Sequence, residues 1–512
     1  MKPEISDDLS RRIFLRGAMG VSLFATSGCE KIEDFLGMEP QEGPVVPPSG
    51  EGVDLVSHVL NRLTFGPDPS EYARVKGLGV DDESAVAFFL EEQLSPNEIE
   101  DKRTQRAVRR LEAIHAPLGE LYEYKEDHLL EQLTRATLIR ATRSKRQLFE
   151  VMVHFWSDHF NIDISKKECR WLKVADDREV VRKHAMGNFS ALLKASALSP
   201  AMLWYLDGRE NRKSGESEKP NENYARELLE LHTLGVGGGY TQKDVMEVAR
   251  CLSGWTVRGK DRFFKGKVEF HADAHDDGAK VVLGNEIASG GGRKDLDDIL
   301  EIVGMHPSTA RFLGRKLCIR FISDDPSEAS IKKVAGTFLS SNGNIKETLR
   351  AVFATQEFLQ GPRAQKLKRP FEFIVSALRG VRARVSSEMD VVDYLIRMGH
   401  APFQYPTPDG YPDIASPWTG TLLWRWHFAI ALARNEVSEN INVEEEVLIE
   451  KAGGVDGLAA SLLGRNPSVE EKAAIERSGE PLALLMASPG FQWKLKIPEL
   501  FQETETNKPL LW

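Results

Sequence analysis

Residues 221–235 read NENYARELLELHTLG, and their spacing predicts an amphipathic helix. At about 100° per residue, the apolar side chains of this segment fall on one stripe. His232 falls near the centre of that stripe, so we expect its imidazole to be buried. Glu227 and Asn223 fall on the border between the apolar and polar faces. The apolar members of the stripe are Tyr224, Ala225, Leu228, Leu229 and Leu231.

Two interpretations of His232 are open at this stage. The imidazole can belong to a site that the helix presents at its polar border, or it can be a core histidine that is hydrogen-bonded within the fold. Gly235 is expected to end the helix, and Thr241 to cap the next one with Asp244 at the capping-box position. A short glycine-rich link therefore separates the two helices.

A second predicted helix, over residues 145–160, repeats this arrangement. His159 lies near the centre of its apolar stripe, and Asp158 lies on the border. Buried histidines need partners, since an unpaired buried polar group costs about 1–3 kcal/mol. We therefore predict that one polar pocket holds both imidazoles and both border carboxylates. The predicted catalytic residues are Asp158, His159, Glu227 and His232.

A histidine and two carboxylates follow one another in the loop at residues 275–277. Such side chains can bind a divalent metal ion, which makes a metal the candidate cofactor. The same loop continues into Asp-Asp-Gly, a favourable turn sequence, and a turn alone explains it equally well. We expect either this loop or His184 to line the polar pocket. The candidate metal ligands are His184, His275, Asp276 and Asp277.

An aromatic, proline-rich segment, residues 402–413, leads into another predicted helix. Aromatic faces beside carboxylates suit stacking on sugar rings. They equally suit the packing of a long loop onto a helical body, and both interpretations stay open. The candidate ligand-binding residues are Asn223, Tyr405, Tyr411 and Trp418.

Two weaker patterns concern anions. Residues 289–292 precede a helix and could hold a phosphate at its N-terminus, but they lack the spacing of known phosphate-binding loops and favour a flexible loop. The helix that starts near Pro307 carries a basic stripe, for which we expect a solvated face first and a groove for an anionic ligand second. The stripe consists of Arg311, Arg315, Lys316 and Arg320.

Helical periodicity dominates from residue 54 onward. Short segments rich in β-branched and aromatic residues predict a small β-hairpin insertion near residues 255–285. The sequence thus predicts a mainly α, multi-helix globular body. The predicted helices include residues 55–63, 70–76, 82–93, 107–114, 118–142, 145–160, 331–339, 345–355 and 370–385.

The N-terminus carries Arg11 and Arg12 before a short apolar stretch, which resembles a twin-arginine export signal. Cys29 follows a Ser-Gly pair like the end of a lipobox, although Thr26 stands where leucine is usual. We expect an exported protein that is periplasmic or lipid-anchored in the cell envelope; plain cleavage and an uncleaved anchor are alternatives. The predicted organisation is a signal over residues 1–29, a flexible tether over 30–53, a helical core over 54–435 and a C-terminal helical segment over 436–512 packed on the core.

Composition excludes several classes of protein. The 512-residue chain has a formal net charge of −10, which argues against a nucleic-acid ligand because phosphate binding requires a concentrated basic surface. No apolar run approaches the roughly 18 residues of a membrane span, so membrane contact is expected through a lipid anchor at most. The four cysteines are scattered without CxxC spacing, which favours buried free thiols over zinc or disulfide frameworks.

Several motifs, taken in order along the chain, resemble one bacterial family. They are HFWSDHFN (154–161), SPAMLWYL (199–206), NENYARELLELHTLGVGGG (221–239), HDDGAK (275–280) and GYPD (410–413). On these motifs the chain is identified as a member of the "domain of unknown function 1800" family over residues 54–495. The family usually has proline after Asp-Asp-Gly, where Ala279 stands here, which affects only the stiffness of that turn.

The resemblance implies export but no biochemical activity. It also implies a partner, because members are often encoded beside a second exported family, numbered 1501, that resembles sulfatases and alkaline phosphatases. From the residues, we expect a hydrolase or transferase that acts on an extracellular polymer through the buried His/Asp/Glu pocket, with or without a metal. The alternative is a non-catalytic glycan-binding or cell-envelope assembly protein.

Overall fold

The structure is a computed structural model, and it describes residues 43, 45–213, 215, 219–259, 265–361 and 366–493. The predicted signal over residues 1–29, including Cys29, and most of the predicted tether lie outside the described residues. No helix in the part of the chain described here is long and apolar enough to cross a membrane.

The fold is mainly α, as the sequence predicts, and the described residues form 24 α-helices. Those before the β insertion are α1 Leu55–Leu63, α2 Glu71–Lys76, α3 Asp82–Leu94, α4 Lys102–Arg109, α5 Glu126–Arg143, α6 Gln147–His159, α7 Cys169–Asp176, α8 Phe189–Ala197, α9 Pro200–Tyr205, α10 Asn223–Glu227 and α11 Gln242–Cys251. Two π-helical segments, Asp177–Arg182 and Leu228–His232, continue α7 and α10.

The helices after the insertion complete the body. They are α12 Lys294–Gly304, α13 Pro307–Phe321, α14 Glu328–Ser340, α15 Ile345–Phe353, α16 Gln356–Gln360, α17 Pro370–Gly380, α18 Val392–Arg397, α19 Leu422–Ala433, α20 Glu445–Lys451, α21 Val455–Leu463, α22 Val469–Arg477, α23 Pro481–Ala487 and α24 Pro489–Gln492. Short 3₁₀ turns cover Glu112–His115, Glu120–Glu123, Gly208–Glu210, Ala272–Ala274, Glu388–Val391 and Ser416–Thr421.

The predicted hairpin insertion is confirmed. Strand β1 (Trp255–Val257) pairs antiparallel with β2 (Val268–Phe270), and β3 (Lys280–Val282) pairs antiparallel with β4 (Asn285–Ile287). A third pair joins β5 (Arg384–Val385) to β6 (Ile441–Asn442). Each of these sheets has only two strands, so they are small additions to the helical body and do not form a separate layer.

Several helix ends follow from local chemistry. The predicted capping box of α11 is confirmed, since the Thr241 side chain accepts from the backbone N–H of Asp244 and the Asp244 side chain accepts in return. The helix predicted over residues 370–385 ends earlier, at Gly380, because Arg382 adopts a left-handed conformation with φ of 50°. The chain beyond it forms strand β5 instead.

The prediction of one helix over residues 118–142 is wrong at its N-terminal end. A 3₁₀ turn at Glu120–Glu123 comes first, and α5 starts only at Glu126. Lys125, the residue before α5, is extended with ψ of 143°, so the two helical segments cannot be continuous.

One large hydrophobic cluster runs through the molecule. It includes Leu55 from α1 and Phe491 from α24, so both ends of the described chain pack on the same core. Cys169, Cys251 and Cys318 are buried free thiols, as predicted. Burial raises the pKa of each of these thiols to about 12, so they are unreactive at neutral pH.

Candidate functional site

The two histidines selected from the sequence are buried neighbours. Their ring centroids lie 6.2 Å apart, and His159 and His232 are 1% and 0% exposed. The Nε2 atom of His159 lies 3.1 Å from the backbone carbonyl oxygen of His232. Because a carbonyl can only accept, His159 carries its proton on Nε2 and presents a bare Nδ1.

A lysine from another helix contacts that unprotonated nitrogen. The Nζ atom of Lys316, on α13, lies 3.1 Å from Nδ1 of His159. Burial is the main reason why the pKa of Lys316 falls to about 8, although Asp158 and Asp413 act in the opposite direction. The burial of His159, together with the charge of Lys316, lowers the pKa of the His159 imidazole. We call His159, His232 and Lys316 the lysine–histidine centre.

A π-helical segment shapes this centre. The sequence predicts an ordinary helix through residue 234, but the turns widen after Glu227 and Leu228–His232 is π-helical. The Thr233 hydroxyl donates to the carbonyl of Leu228 over 2.6 Å, and the N–H of Gly235 reaches the carbonyl of Leu229. Such π-segments occur often at functional sites. Here the segment aims the last carbonyl, that of His232, at His159.

The imidazole of His232 has no hydrogen-bond partner among the described residues. Both of its ring nitrogens are buried and unpaired, as is the hydroxyl of Tyr224, whose ring lies 6.3 Å away between centroids. Burial and the charge of Lys316 lower the pKa of His232 to about 3. His232 is therefore neutral, and its two ring nitrogens are polar atoms without a hydrogen-bond partner among the described residues, close to the contact between His159 and Lys316.

The role of Lys316 was missed in the sequence, where a solvated basic stripe was the first interpretation. That interpretation fits Arg311, which is exposed and paired with Glu328, and Arg315, which is exposed. It is wrong for Arg320, which is buried, and for Lys316, which is largely covered. The signal was present in the i, i+4 spacing that places both cations beside the buried Leu313 and Leu317.

Asp158 belongs to an adjoining ion-pair network. Its Oδ2 accepts from Nη1 of Arg369 over 2.7 Å, and Nη2 of Arg369 lies 2.8 Å from Nδ1 of His154. Burial raises the pKa of Asp158 even though Arg369 opposes this shift. The carboxylate is thus held by an arginine, and it acts on the lysine–histidine centre through its charge.

Asp413 lies on the opposite side of the same network. Burial acts to raise its pKa, but Arg369, Arg320 and Lys366 outweigh burial and lower it. Arg320 Nη1 contacts Glu372 at 2.5 Å and Asp413 at 3.3 Å. These cations keep Asp413 ionised, and its charge favours the protonated form of Lys316.

Glu227 is the last residue of α10, directly before the π-helical segment that ends at His232. It is half-buried, and burial together with the charge of Glu230 raises its pKa, with a further contribution from Asp409. The predicted set is therefore brought together unevenly. The two imidazoles are direct neighbours, and Asp158 acts by its charge on Lys316. Glu227 interacts with the charges of Glu230, Arg226 and Asp409, and no contact between Glu227 and the centre is found among the described residues.

A narrow cleft opens next to Asp158. His154, Asp158, His400 and Tyr411 are among its lining residues, and it offers about 30 Å³ to the centres of water molecules. That volume holds roughly two waters. His159, His232 and Glu227 do not belong to its described wall.

The aromatic loop packs tightly onto the body. The Tyr411 hydroxyl donates to the carbonyl of Ala401 over 2.7 Å, and the Trp418 indole donates to the carbonyl of Pro412 over 3.0 Å. The His400 ring lies between them, with centroids 4.3 Å from Tyr411 and 5.1 Å from Trp418. These contacts agree with the packing interpretation and cover both faces proposed for a sugar.

The other two proposed ligand-binding residues have structural contacts of their own. The ring centroid of Tyr405 lies 4.5 Å from that of Tyr411, and Tyr405 remains partly exposed. The side-chain amide of Asn223 donates to the carbonyl of Leu206 over 3.0 Å, which ties the start of α10 to the end of α9. A glycan contact by these residues stays a prediction.

Three of the four candidate metal ligands occupy different settings. His184 follows the π-segment after α7 and is partly exposed, Asp276 pairs with Arg250 at 2.7 Å, and Asp277 accepts from the N–H of Gly292 at 3.1 Å. Within the described residues, no group of three or more His, Cys, Asp or Glu side chains is arranged to hold a metal ion. The Asp277 contact also ties down the glycine-rich loop that was a candidate phosphate cradle.

His275 lies in a cluster that resembles a catalytic triad in composition. Its Nε2 is 3.2 Å from Oδ2 of Asp295, and its Nδ1 is 3.3 Å from Oγ of Ser253 but only 2.8 Å from the carbonyl of Ser253. Lys280 Nζ contacts the same Asp295 oxygen at 2.5 Å. The Ser253 hydroxyl already donates to the carbonyl of Arg250.

All four side chains of this triad-like cluster are buried, namely Ser253, His275, Lys280 and Asp295. A nucleophilic serine must reach a substrate, and its proton must pass to the histidine. Burial and the existing hydrogen bond of the serine prevent both. The cluster therefore joins the hairpin insertion to α11 and α12 as a structural element.

Fold and site together define a mainly α protein whose core holds an interacting lysine and two histidines. The chain belongs to the family described as "Protein of unknown function (DUF1800)", whose model matches residues 58–493. No curated protein and no solved structure was found to match the chain.

Proposed function

We propose that the protein is a hydrolase or transferase that acts on an extracellular polymer and uses Lys316 as its general base, positioned by His159. The observation that supports this most is the 3.1 Å contact between Lys316 Nζ and the bare Nδ1 of His159. A lysine with a pKa of about 8 is partly neutral at physiological pH, as a general base must be. A surface lysine does not have this property.

The proposed division of labour follows from the contacts. His159 Nε2 is anchored on the carbonyl of His232, so the ring is fixed and its Nδ1 accepts one amine proton. The neutral amine keeps its lone pair and can remove a proton from a water or a substrate hydroxyl. Protonated Lys316 is then stabilised by Asp158 and Asp413, the charges that already act on it.

The non-catalytic alternative has less support. It relies on exposed aromatic faces that a glycan can stack on. The rings of Tyr411 and Trp418 instead pack against the ring of His400. A divalent metal ion remains a candidate cofactor, and the exported sulfatase-like family numbered 1501 remains a candidate partner.

The test is an activity screen with matched variants on one helix. Wild type, Lys316→Met, His159→Gln and Arg311→Met are incubated with dye-labelled glycans, sulfated polysaccharides and peptidoglycan, with chelator and with added Mg²⁺, Mn²⁺ or Zn²⁺. We expect wild type and Arg311→Met to release product at rates that rise to a plateau above about pH 8, and Lys316→Met to lose on the order of 100-fold or more.

Two results contradict the proposal. Full activity in Lys316→Met would show that another group is the base. Binding of a glycan without turnover, in every metal condition and equally in all four proteins, would favour the non-catalytic alternative.

Export is proposed on the sequence of residues 1–29. Replacing Arg11 and Arg12 by lysine removes the guanidinium pair while keeping its charge, and we expect the protein to stay in the cytoplasm. A fatty-acid label that is present on wild type and lost in Cys29→Ala would support a lipid anchor. Normal export of the lysine variant would refute the twin-arginine assignment.

A further inference from the structure

Arg62 is a buried cation without a direct partner. It lies on α1 and is 1% exposed, and its Nε, Nη1 and Nη2 atoms have no hydrogen-bond acceptor in the described structure. A guanidinium carries five N–H donors. Burying such a charge unpaired costs several kcal/mol, so the interior must supply an acceptor at this point.

Ring contacts locate Arg62 between two other helices. One turn before it, the ring of His58 lies 4.9 Å from that of Phe358, which leads through Phe353 to Phe321 at the end of α13. Just after it, the ring of Phe65 lies 5.5 Å from that of Phe371 at the start of α17. Arg62 therefore lies on α1 between contacts that lead to the end of α13 and to the start of α17, and the charges of Arg320 and Glu372 from those two helices act on it.

The carboxylates that act on Arg62 are already engaged. Glu372 contacts Arg320 at 2.5 Å and accepts from the backbone N–H of Arg369. Asp324 pairs with Lys366 at 2.6 Å and accepts from the N–H of Ala415. Both carboxylates act on Arg62 only through their charge. Neither one is a free counter-ion.

A second guanidinium has spare donors. Arg320 is 1% exposed and uses Nη1 for both of its ion pairs, while its Nε and Nη2 have no partner in the described residues. Burial lowers the pKa of Arg62 to about 10, so its guanidinium group is still charged at neutral pH. The charge of Arg320 also lowers the pKa of Arg62, whereas the charges of Glu372 and Asp324 raise it.

We propose that Arg62 and Arg320 together hold a small inorganic anion of halide size inside the helical body. The anion accepts hydrogen bonds from the unpaired N–H groups of both side chains. It supplies the counter-charge that Arg62 lacks, because Glu372 pairs with Arg320 and Asp324 pairs with Lys366. Full burial selects a small ion, because a hydrated or bulky anion does not fit a space closed to solvent. The site is separate from the lysine–histidine centre and does not depend on the proposed reaction.

Bromide is the direct probe. Crystals of the full chain grown in sodium bromide should show an anomalous peak within hydrogen-bond distance of the guanidinium groups of Arg62 and Arg320. In solution, the melting temperature of wild type should rise by about 3 °C or more when chloride replaces gluconate at constant ionic strength, since a ligand that binds only the native state stabilises it.

Variants separate a specific site from general salt effects. Arg62→Met, which keeps much of the side-chain volume, should lose the chloride response, whereas Arg311→Met, on the exposed face of α13, should keep it. If Arg62→Met does not fold, the bromide peak in wild type decides alone. Water molecules at the site without an anomalous peak, or equal chloride responses in the two variants, would overturn the proposal.

Discussion

The lysine–histidine centre and the triad-like cluster contain similar side chains but differ in how the lysine is paired. Lys280 has three acceptors for its three N–H groups, namely Asp295 Oδ2 and the carbonyls of Asp276 and Gly278. Lys316 instead contacts a neutral imidazole, and Asp158 and Asp413, which act on it by their charge, pair with arginines. The comparison teaches that coverage by the fold does not distinguish the two lysines; the presence or absence of a direct counter-ion does.

The largest expected effect is on the paired lysine. Lys280→Met leaves the carboxylate of Asp295 buried without a cation, which should cost about 3–5 kcal/mol of the free energy of unfolding, measured by urea at pH 7. Lys294→Met, at an exposed i, i+4 pair with Asp298, is the control and should leave the transition midpoint unchanged. Similar midpoints for the two variants would mean that the triad-like cluster is not held by this ion pair.

Lys316→Met should behave differently because it removes a charge that burial disfavours. The folded-state pKa of Lys316 is about 8, against 10.5 for an ordinary lysine. Between these values the unfolded chain binds more protons, so wild-type stability rises with pH across the window, by at most about 1.4 kcal/mol per pH unit. The variant should lack this rise. Parallel stability curves for both proteins from pH 8 to 10.5 would show that Lys316 titrates normally.

His232 makes the same contrast at acid pH. The pKa of His232 is lowered from 6.5 to about 3, so below pH 6.5 the unfolded chain binds a proton that the folded chain does not. The free energy of unfolding therefore decreases as the pH is lowered. His232→Leu should remove roughly 1 kcal/mol per pH unit of this loss between pH 6 and 4. Acid titration by circular dichroism measures it. An unchanged acid transition would place His232 in a solvated environment.

The smallest effect is expected in the aromatic loop. Tyr411→Phe removes the hydrogen bond to the carbonyl of Ala401 and keeps the ring packing, so it should cost about 0.5–1.5 kcal/mol by urea unfolding. If the same change abolishes binding of a glycan while stability is unaltered, the hydroxyl serves a ligand and the packing interpretation is wrong.

Local spacing was sufficient for much of the fold. The apolar periodicity placed α1 at Leu55–Leu63, and β-branched segments placed β1, β2 and β3. Helical angle also indicated the burial of His159 and His232. These features depend on contacts within one element, where side-chain direction follows from position in the sequence.

Other features depended on tertiary structure. The sequence by itself gives Lys316 and Arg320 the same basic character as Arg311, and only the contacts of α13 with α6 and α17 separate the covered Lys316 and the buried Arg320 from the solvated Arg311. The partner of His159 comes from a residue 157 positions away, and the counter-ions of Arg320 come from α17 and the aromatic loop. A pKa is set by burial and by charges that the fold brings together. For that reason the sequence by itself determined the burial of His159 and His232, and the tertiary structure decided which charged groups they meet in the core.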